Sequence, residues 1–123
     1  MADPPLITVD ADSSLPPFEQ VRNQLASAIA SGALAPEVRL PPIRELAGEL
    51  GLAVNTVARA YRELEEGGLV ETRGRNGTFV VGTPTQARQA AARLTRDFVL
   101  EMSELGITPA EMQAMLRLEL DEP

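Results

Sequence analysis

The sequence predicts a mainly α-helical chain with one small β-hairpin, and three observations support this fold class. Apolar residues recur at helical spacing in five separate segments. Glycine or proline stands at the boundary of most of these segments. Two short β-prone segments, residues 69–73 and 78–81, flank the tetrapeptide 74–77, which contains Asn-Gly, the strongest short hairpin signal.

The first helix is predicted over residues 17–31. Val21, Leu25 and Ile29 repeat at steps of four, as expected for one buried helix face. Gly32 follows and supplies a left-handed C-terminal cap. Ahead of this helix, side chains of alternating polarity over residues 6–10 predict a short strand or an extended arm.

The second and third helices are predicted on either side of a short turn. Pro41 and Pro42 open the second helix, where a missing N–H has no consequence because the first N–H groups of a helix have no partner within it. The connection Gly51-Leu52-Ala53 is short, as a helix-turn-helix requires. The third helix is predicted over residues 54–66. The buried faces of the two helices are Ile43, Leu46, Ala47 and Leu50, and Val57, Ala60, Tyr61 and Leu64.

Helix, tight turn, helix and hairpin in this order form the plan of a winged helix-turn-helix, a module that lays one helix into the major groove of DNA. The stretch Gly82-Thr83-Pro84 has the composition of a hinge. We therefore expect a winged helix-turn-helix domain over residues 1–82 and a C-terminal helical tail over residues 83–123.

The tail is predicted to contain two helices. The first spans residues 84–106 and ends at Gly106, and the second begins at a capping box formed by Thr108 and Glu111. A lone helix with one apolar face needs a partner to cover it, so the tail predicts a homodimer. The alternative is packing on the winged domain of the same chain. The residues expected at the dimer contact are Ala91, Leu94, Phe98, Met102, Leu105, Met112, Met115 and Leu116.

The composition excludes several classes of function. The 123 residues include no cysteine and no histidine, which excludes disulfides, thiolate metal sites and Ser–His–Asp or Cys–His catalysis. A phosphate-binding loop is also absent, because residues 74–77 lack the required Lys and Ser/Thr. We expect no enzyme activity, no metal and no cofactor. Neither a membrane span of roughly 20 apolar residues nor a secretory signal is present, which predicts a cytoplasmic protein without a membrane partner.

The net charge of −7 argues against a non-specific nucleic-acid coat, which would be basic. It allows a sequence-specific reader, in which a few cations at the contact surface matter. All eleven basic residues are arginine, the better side chain for phosphates and guanine edges.

The third helix carries a pattern suited to reading DNA. Asn55, Arg59 and Arg62 share its outer face, and Thr56 lies in its first turn. Asn binds adenine and Arg binds guanine through paired hydrogen bonds. The alternative is a solvated face whose arginines pair with neighbouring glutamates such as Glu63. The complete predicted DNA-binding set is Arg39, Pro42, Arg44, Asn55, Thr56, Arg59, Arg62, Arg73, Arg75, Asn76 and Gly77.

Segments from Pro17 to Val81 resemble the N-terminal domain of the GntR family of bacterial transcription regulators. The matching segments are PFEQVRNQLASAIASGAL, RLPPIRELAGELG, NTVARAYRELEEGGLVETR and NGTFVV. The segment NTVARAYRELE is most similar to the YtrA-like subfamily, whose short helical tail resembles a dimerisation element. The 41 residues from Thr83 to Pro123 have room for such a tail.

Several positions depart from the family pattern. Pro42 stands where the family usually has Ser, Ala53 and Val54 replace Ser-Arg, and Ala58 replaces a further Arg. Arg75 occupies the place of the first wing glycine. Base reading would therefore depend more on Arg44, Asn55, Thr56 and Arg59, and we expect an operator that differs from those of the better-known branches.

The resemblance implies a dimeric repressor that binds a pseudo-palindromic double-stranded DNA operator, reads it with helix 54–66 and wing 73–78, and controls a neighbouring operon, such as a transporter operon. The alternative is a winged-helix module that binds a protein partner without sequence-specific DNA binding. A small-molecule effector is a further candidate partner, because Met102, Met112 and Met115 would suit an adaptable lining, although ordinary core packing is the more common role of such residues.

Overall fold

The computed structural model describes residues 7–121 and confirms a mainly helical chain with one antiparallel hairpin. It forms two compact units, divided between Ala87 and Arg88. The expected domain boundary between residues 82 and 83 stays a prediction. The elements are α1 (Pro17–Ser31), α2 (Ile43–Leu50), α3 (Val54–Glu66), β1 (Val70–Thr72), β2 (Thr78–Val80), α4 (Pro84–Glu104) and α5 (Pro109–Asp121), with a short 3-10 turn at Gly74–Asn76.

Helix α3 lies at the centre of the first unit, where it packs against α1, α2 and β1. Val57 and Ala60 are fully buried, and Leu64 is nearly so. Tyr61 is also buried, and its hydroxyl donates a hydrogen bond of 2.6 Å to the carbonyl oxygen of Pro41. Burial raises the pKa of this hydroxyl. The bond ties α3 to the segment that leads into α2, and so fixes where α2 begins.

The turn between α2 and α3 is a left-handed cap at Gly51. The Leu52 N–H bonds to the Ala47 carbonyl at 2.9 Å, and the Gly51 N–H bonds to the Gly48 carbonyl at 3.4 Å. This pair of bonds is the Schellman arrangement, which satisfies carbonyls at the end of a helix. Gly51 has φ of 68°, a conformation that glycine adopts without steric penalty. The chain thereby reverses within three residues and enters α3.

The hairpin gains a third pairing segment that the sequence did not predict. Residues 37–40 lie in the connection between α1 and α2 and pair with β2 through an isolated bridge between Arg39 and Phe79. The Leu40 N–H bonds to the Thr78 carbonyl at 2.8 Å, and the Val80 N–H bonds to the Val38 carbonyl at 2.8 Å. The segment before α2 is therefore held at the edge of the wing.

The tip of the hairpin differs from the tight Asn-Gly turn that the sequence suggested. Thr72 pairs with Thr78, so five residues form the loop, and Gly74–Asn76 fold into a 3-10 turn. Among residues 7–121 the one non-glycine residue with positive φ is Glu37, so Asn76 lacks the left-handed conformation of a tight turn. The strands are also shorter than the predicted 69–73 and 78–81: β1 loses one residue at each end, and β2 loses its last residue.

The N-terminal arm is extended and is fixed by two glutamines of α1. Gln20 is buried; its side chain accepts from the Asp10 N–H at 2.8 Å and donates to the carbonyls of Asp10 and Leu15. Gln24 makes the same reciprocal pair of bonds with Thr8 on a more exposed surface. The described part of the predicted strand or arm, residues 7–10, is thus an arm, and residue 6 lies outside the described residues.

The second unit contains most of α4 and all of α5. Helix α4 lies wholly within the described residues, and none of its side chains is buried. The capping box at the start of α5 is confirmed: the Glu111 N–H donates to Thr108 Oγ1 at 3.2 Å, and the Thr108 N–H donates to Glu111 Oε1 at 3.1 Å. Hydrogen bonds from the Thr108 N–H and the Thr108 hydroxyl to Glu111 Oε1 lower the pKa of the Glu111 carboxyl.

Replacing Gln20 by leucine should lower the free energy of unfolding by about 1–3 kcal/mol, because backbone groups of Asp10 and Leu15 would lose their partners in a partly buried network. Urea denaturation followed by circular dichroism measures this change. Gln24→Leu is the matched control, since its bonds are exposed and water can replace them. Equal losses in the two variants would contradict a special role for Gln20.

Candidate nucleic-acid interface

The outer face of α3 is open to solvent. Asn55 and Arg62 are exposed, and Thr56 is half-buried in the first turn. The opposite face of α3 packs in the core, so the helix cannot rotate to present other residues. Asn55, Thr56 and Arg62 therefore have fixed positions on a surface that can meet a groove of DNA.

The N-termini of α2 and α3 lack side-chain caps. Their N-cap residues are Pro42 and Ala53, and neither makes a capping hydrogen bond. The first backbone N–H groups of a helix then remain available for an anion, and the helix dipole favours negative charge there. Helix α3 has no acidic residue in its first turn, whereas α2 has Glu45. The α3 N-terminus is thus the better suited of the two to a phosphate.

Arg59, predicted to contact a base, is engaged within the protein. Its guanidinium lies over the ring of Phe18 at 3.7 Å from the centroid, and its Nε donates to Glu63 at 3.2 Å. Glu63 also forms an ion pair with Arg22 of α1. The hydrogen bond from Arg22 lowers the pKa of the Glu63 carboxyl, and Arg59 adds to that effect. In the DNA-free protein Arg59 therefore helps to join α3 to α1.

Arg73 is also paired. It forms two parallel hydrogen bonds with Glu37, at 2.8 and 3.1 Å, and a further bond with Glu71 at 2.8 Å. Its guanidinium lies 4.6 Å from the ring centroid of Phe79. The Arg73 bond lowers the pKa of Glu37, and Glu37 followed by Glu71 raises the pKa of Arg73. This cluster connects the segment before α2, residues 37–40, to β1 and β2. No local pattern in the sequence indicated that Glu37 would be part of it.

Arg39 lies against Gly77 in the loop at the tip of the wing. A Cβ atom placed on Gly77 would lie 2.6 Å from Arg39 Nε, so a larger residue here would require the Arg39 side chain to move. Gly77 also has φ of 108° and ψ of −165°, a region that is essentially restricted to glycine. Arg39 and Gly77, two residues of the predicted site, therefore lie next to each other. Arg75 and Asn76 are exposed at the wing tip.

The predicted cations fall into two groups. Within residues 7–121, the side chains of Arg39, Arg44, Arg62 and Arg75 make no ion pair or hydrogen bond, and all four are exposed. Arg59 and Arg73 have carboxylate partners. We call the first four the unpaired arginines. Their charge is not compensated by a neighbour, so they are the cations of the site that a phosphate would meet first.

The residues predicted for dimerisation differ in exposure. Leu94 and Leu105 are 67% and 75% exposed, and Phe98 is 37% exposed. Met115 and Leu116 of α5 are about half exposed, whereas Met112 is buried in the single chain. Ala91 is exposed, and Met102 is half-buried. An apolar face thus remains uncovered in one copy of the chain. The predicted small-molecule effector stays a prediction.

No helix within residues 7–121 combines the length and the hydropathy needed to cross a membrane.

Comparisons with known proteins agree with this geometry. Residues 17–80 match the family described as bacterial regulatory proteins, gntR family. The chain is 47% identical over 111 residues to the HTH-type transcriptional regulator Rv1152 of Mycobacterium tuberculosis, an alignment that covers 89% of this chain and 90% of that protein. The match to a relative of the same length extends through the tail as well as the winged unit.

Solved structures with the same fold include regulators and an operator complex. The chain is similar to YtrA from Sulfolobus acidocaldarius, a GntR-family transcription factor, with a TM-score of 0.59 and 32% identity over 76% of this chain and 97% of that one. It is also similar to AraR(DBD) in complex with operator ORE1, with a TM-score of 0.53 and 28% identity over 62% of this chain and 93% of that one.

The Glu63 ion pairs should make folding stability depend on pH. The folded pKa of Glu63 lies below its unfolded value of about 4.3, so its contribution to stability is present above that pH and is lost as the pH falls through the folded pKa. Glu63→Gln should lower the thermal unfolding midpoint at pH 7, and the difference from the unmodified protein should vanish in acid.

Differential scanning calorimetry between pH 7 and pH 3 measures this dependence. Glu66→Gln serves as the control, because the Glu66 carboxylate makes no ion pair among the described residues. A difference between Glu63→Gln and the unmodified protein that stays constant over the whole pH range would show that the ion pairs do not cause it.

Proposed function

The chain belongs to the GntR family of bacterial regulatory proteins, and we propose from this premise that it is a dimeric repressor that binds a pseudo-palindromic operator. It is a sequence-specific DNA-binding regulator, similar to YtrA-type members of the family. We further propose that it acts in the cytoplasm on a neighbouring operon.

The observation that carries the proposal is the surface formed by α3 and the wing. Asn55, Thr56 and Arg62 lie on the open part of α3, beside an N-terminus without a side-chain cap. The wing tip adds Arg75, and Arg39 lies against Gly77 in the same loop. Base edges would be read by α3, while the helix N-termini and the remaining arginines would hold phosphates. These parts are what a major-groove reader needs.

The acidic net charge is compatible with this arrangement. Three arginines, Arg22, Arg59 and Arg73, are already paired with glutamates, so they contribute to stability more than to the external field. The unpaired arginines concentrate positive charge at the proposed contact surface. Other acidic residues can then keep the protein soluble without preventing local contact with DNA.

The dimer follows from the symmetry of an operator and the uncovered tail. Two copies related by a two-fold axis would meet two half-sites about one helical turn apart. Leu94, Phe98 and Leu105 offer an apolar face that a second copy would cover. The uncovered face supports a role for the tail in joining the two DNA-binding units.

Removing an unpaired arginine should weaken DNA binding without lowering stability. The variants are Arg44→Ala, Arg62→Ala and Arg75→Ala. Each should raise Kd about 5- to 150-fold if the side chain contacts a base. If the side chain contacts a phosphate instead, the slope of log Kd against log salt concentration should fall by about one. Fluorescence anisotropy measures Kd with a duplex selected from a random pool by the unmodified protein. Thermal unfolding of each variant reports stability.

Two kinds of control separate binding from folding. Arg59→Ala and Arg73→Ala break ion pairs and should lower the unfolding midpoint, whereas Arg117→Ala, the same change on α5, should alter neither quantity. The proposal fails if the variants at Arg44, Arg62 and Arg75 all bind the selected duplex as tightly as the unmodified protein does. Retained binding of a protein partner by these variants would favour the interaction-module alternative.

A further inference from the structure

We infer that α4 pairs with α4 of a second copy in an antiparallel orientation, an inference that rests on the proposed dimer and specifies its geometry. Helix α4 is 21 residues long, and none of its residues is buried. Ala87, Ala91, Leu94, Phe98 and Leu105 follow one another at steps of four, three, four and seven. Such spacing places them along one seam, as in helices that pack side by side. The seam is the surface that a second α4 would cover.

Side-chain size along the seam indicates the orientation. The N-terminal half of α4 presents small residues, Ala87 and Ala91, whereas the C-terminal half presents Phe98 and Met102, and Leu105 follows directly after the helix. A parallel pair would place large side chains against large ones and alanines against alanines, so the helices could not pack closely along their whole length. An antiparallel pair places the large side chains of one copy against the alanines of the other.

The charges on α4 independently indicate the same orientation. The N-terminal part of α4, residues 84–96, carries Arg88, Arg93 and Arg96 without an acidic residue, and the remaining part, residues 97–104, carries Asp97, Glu101 and Glu104 without a basic residue. This order opposes the helix dipole, which favours acidic residues near the N-terminus and basic residues near the C-terminus. A parallel partner would bring like charges together, whereas an antiparallel partner places each basic half beside an acidic half.

The length of α4 suits this geometry to DNA. In an antiparallel pair the two helices begin at opposite ends, about 31 Å apart for 21 residues at 1.5 Å each. Each DNA-binding unit enters α4 at Pro84, so the two entry points would have a separation close to the roughly 34 Å between half-sites one turn apart. Parallel helices would begin only about 10 Å apart.

Spin labels on the outer face of α4 test the orientation without disturbing the seam. The chain has no cysteine, so single variants Thr85→Cys, Ala92→Cys and Ser103→Cys carry one label each. All three positions are exposed and lie away from the seam. We place the two-fold axis at the midpoint of α4, residue 94. The two labels of a pair would then be separated along the helix axis by about 27 Å at position 85, 6 Å at position 92 and 27 Å at position 103.

Electron–electron double resonance on the full-length dimer measures these separations, and sedimentation of each variant reports its oligomeric state. We expect a short distance at position 92 and longer, similar distances at 85 and 103. Equal distances at all three positions would mean parallel helices and overturn the inference. A stable dimer with every distance beyond the reach of two contacting helices would overturn it while leaving the proposed dimer intact. A monomer at micromolar concentration would overturn both.

Discussion

The division of α3 between core and solvent is the constraint on which the rest of the structure depends. Val57, Ala60 and Leu64 are buried against α1, α2 and β1, and the Tyr61 hydroxyl holds the segment before α2. Because the buried face fixes the rotation of the helix, the identity of the outer side chains is fixed as well. The short Gly51 turn sets α2 beside α3, and the wing continues directly from the end of α3. A DNA-reading surface follows from how this one helix is packed.

This acidic protein divides the arginines of its winged unit between ion pairs and an exposed surface. Glu63 joins Arg22 to Arg59 between α1 and α3, and Arg73 joins the wing to Glu37 in the segment before α2. These pairs hold the parts of the winged unit in place. The unpaired arginines lie on the proposed contact surface, so DNA binding would depend on the positions of these side chains more than on the net charge of the protein. Arginine suits both tasks, since its planar group binds a carboxylate, a phosphate or a guanine edge through paired hydrogen bonds.

The sequence predicted most of the helices because their signals are local. Proline and glycine mark the ends of α1, and the four-residue repeats give its buried face, so residues 17–31 could be assigned without knowledge of the rest of the chain. The pairing of residues 37–40 with β2 could not be predicted, because it depends on main-chain bonds to a strand about forty residues away. The Asn-Gly pair at 76–77 predicted a tight turn, but the structure has a five-residue loop there. Arg39, from the segment before α2, lies against Gly77 of this loop. The pair Arg59–Glu63 was visible as an i to i+4 spacing, but the contact of Arg59 with Phe18 joins two helices far apart in sequence.

If α3 and the wing form the reading surface, the protein must distinguish one DNA sequence from others. The most direct measurement is the ratio of Kd for scrambled DNA to Kd for the duplex upstream of the protein's own gene, obtained by fluorescence anisotropy across a salt series. We expect the protein to bind the native duplex at least about a thousandfold more tightly than the scrambled duplex. The Kd for the native duplex should rise steeply with salt concentration. Weak binding of equal strength to the native duplex, the scrambled duplex and duplexes selected from a random pool would contradict it.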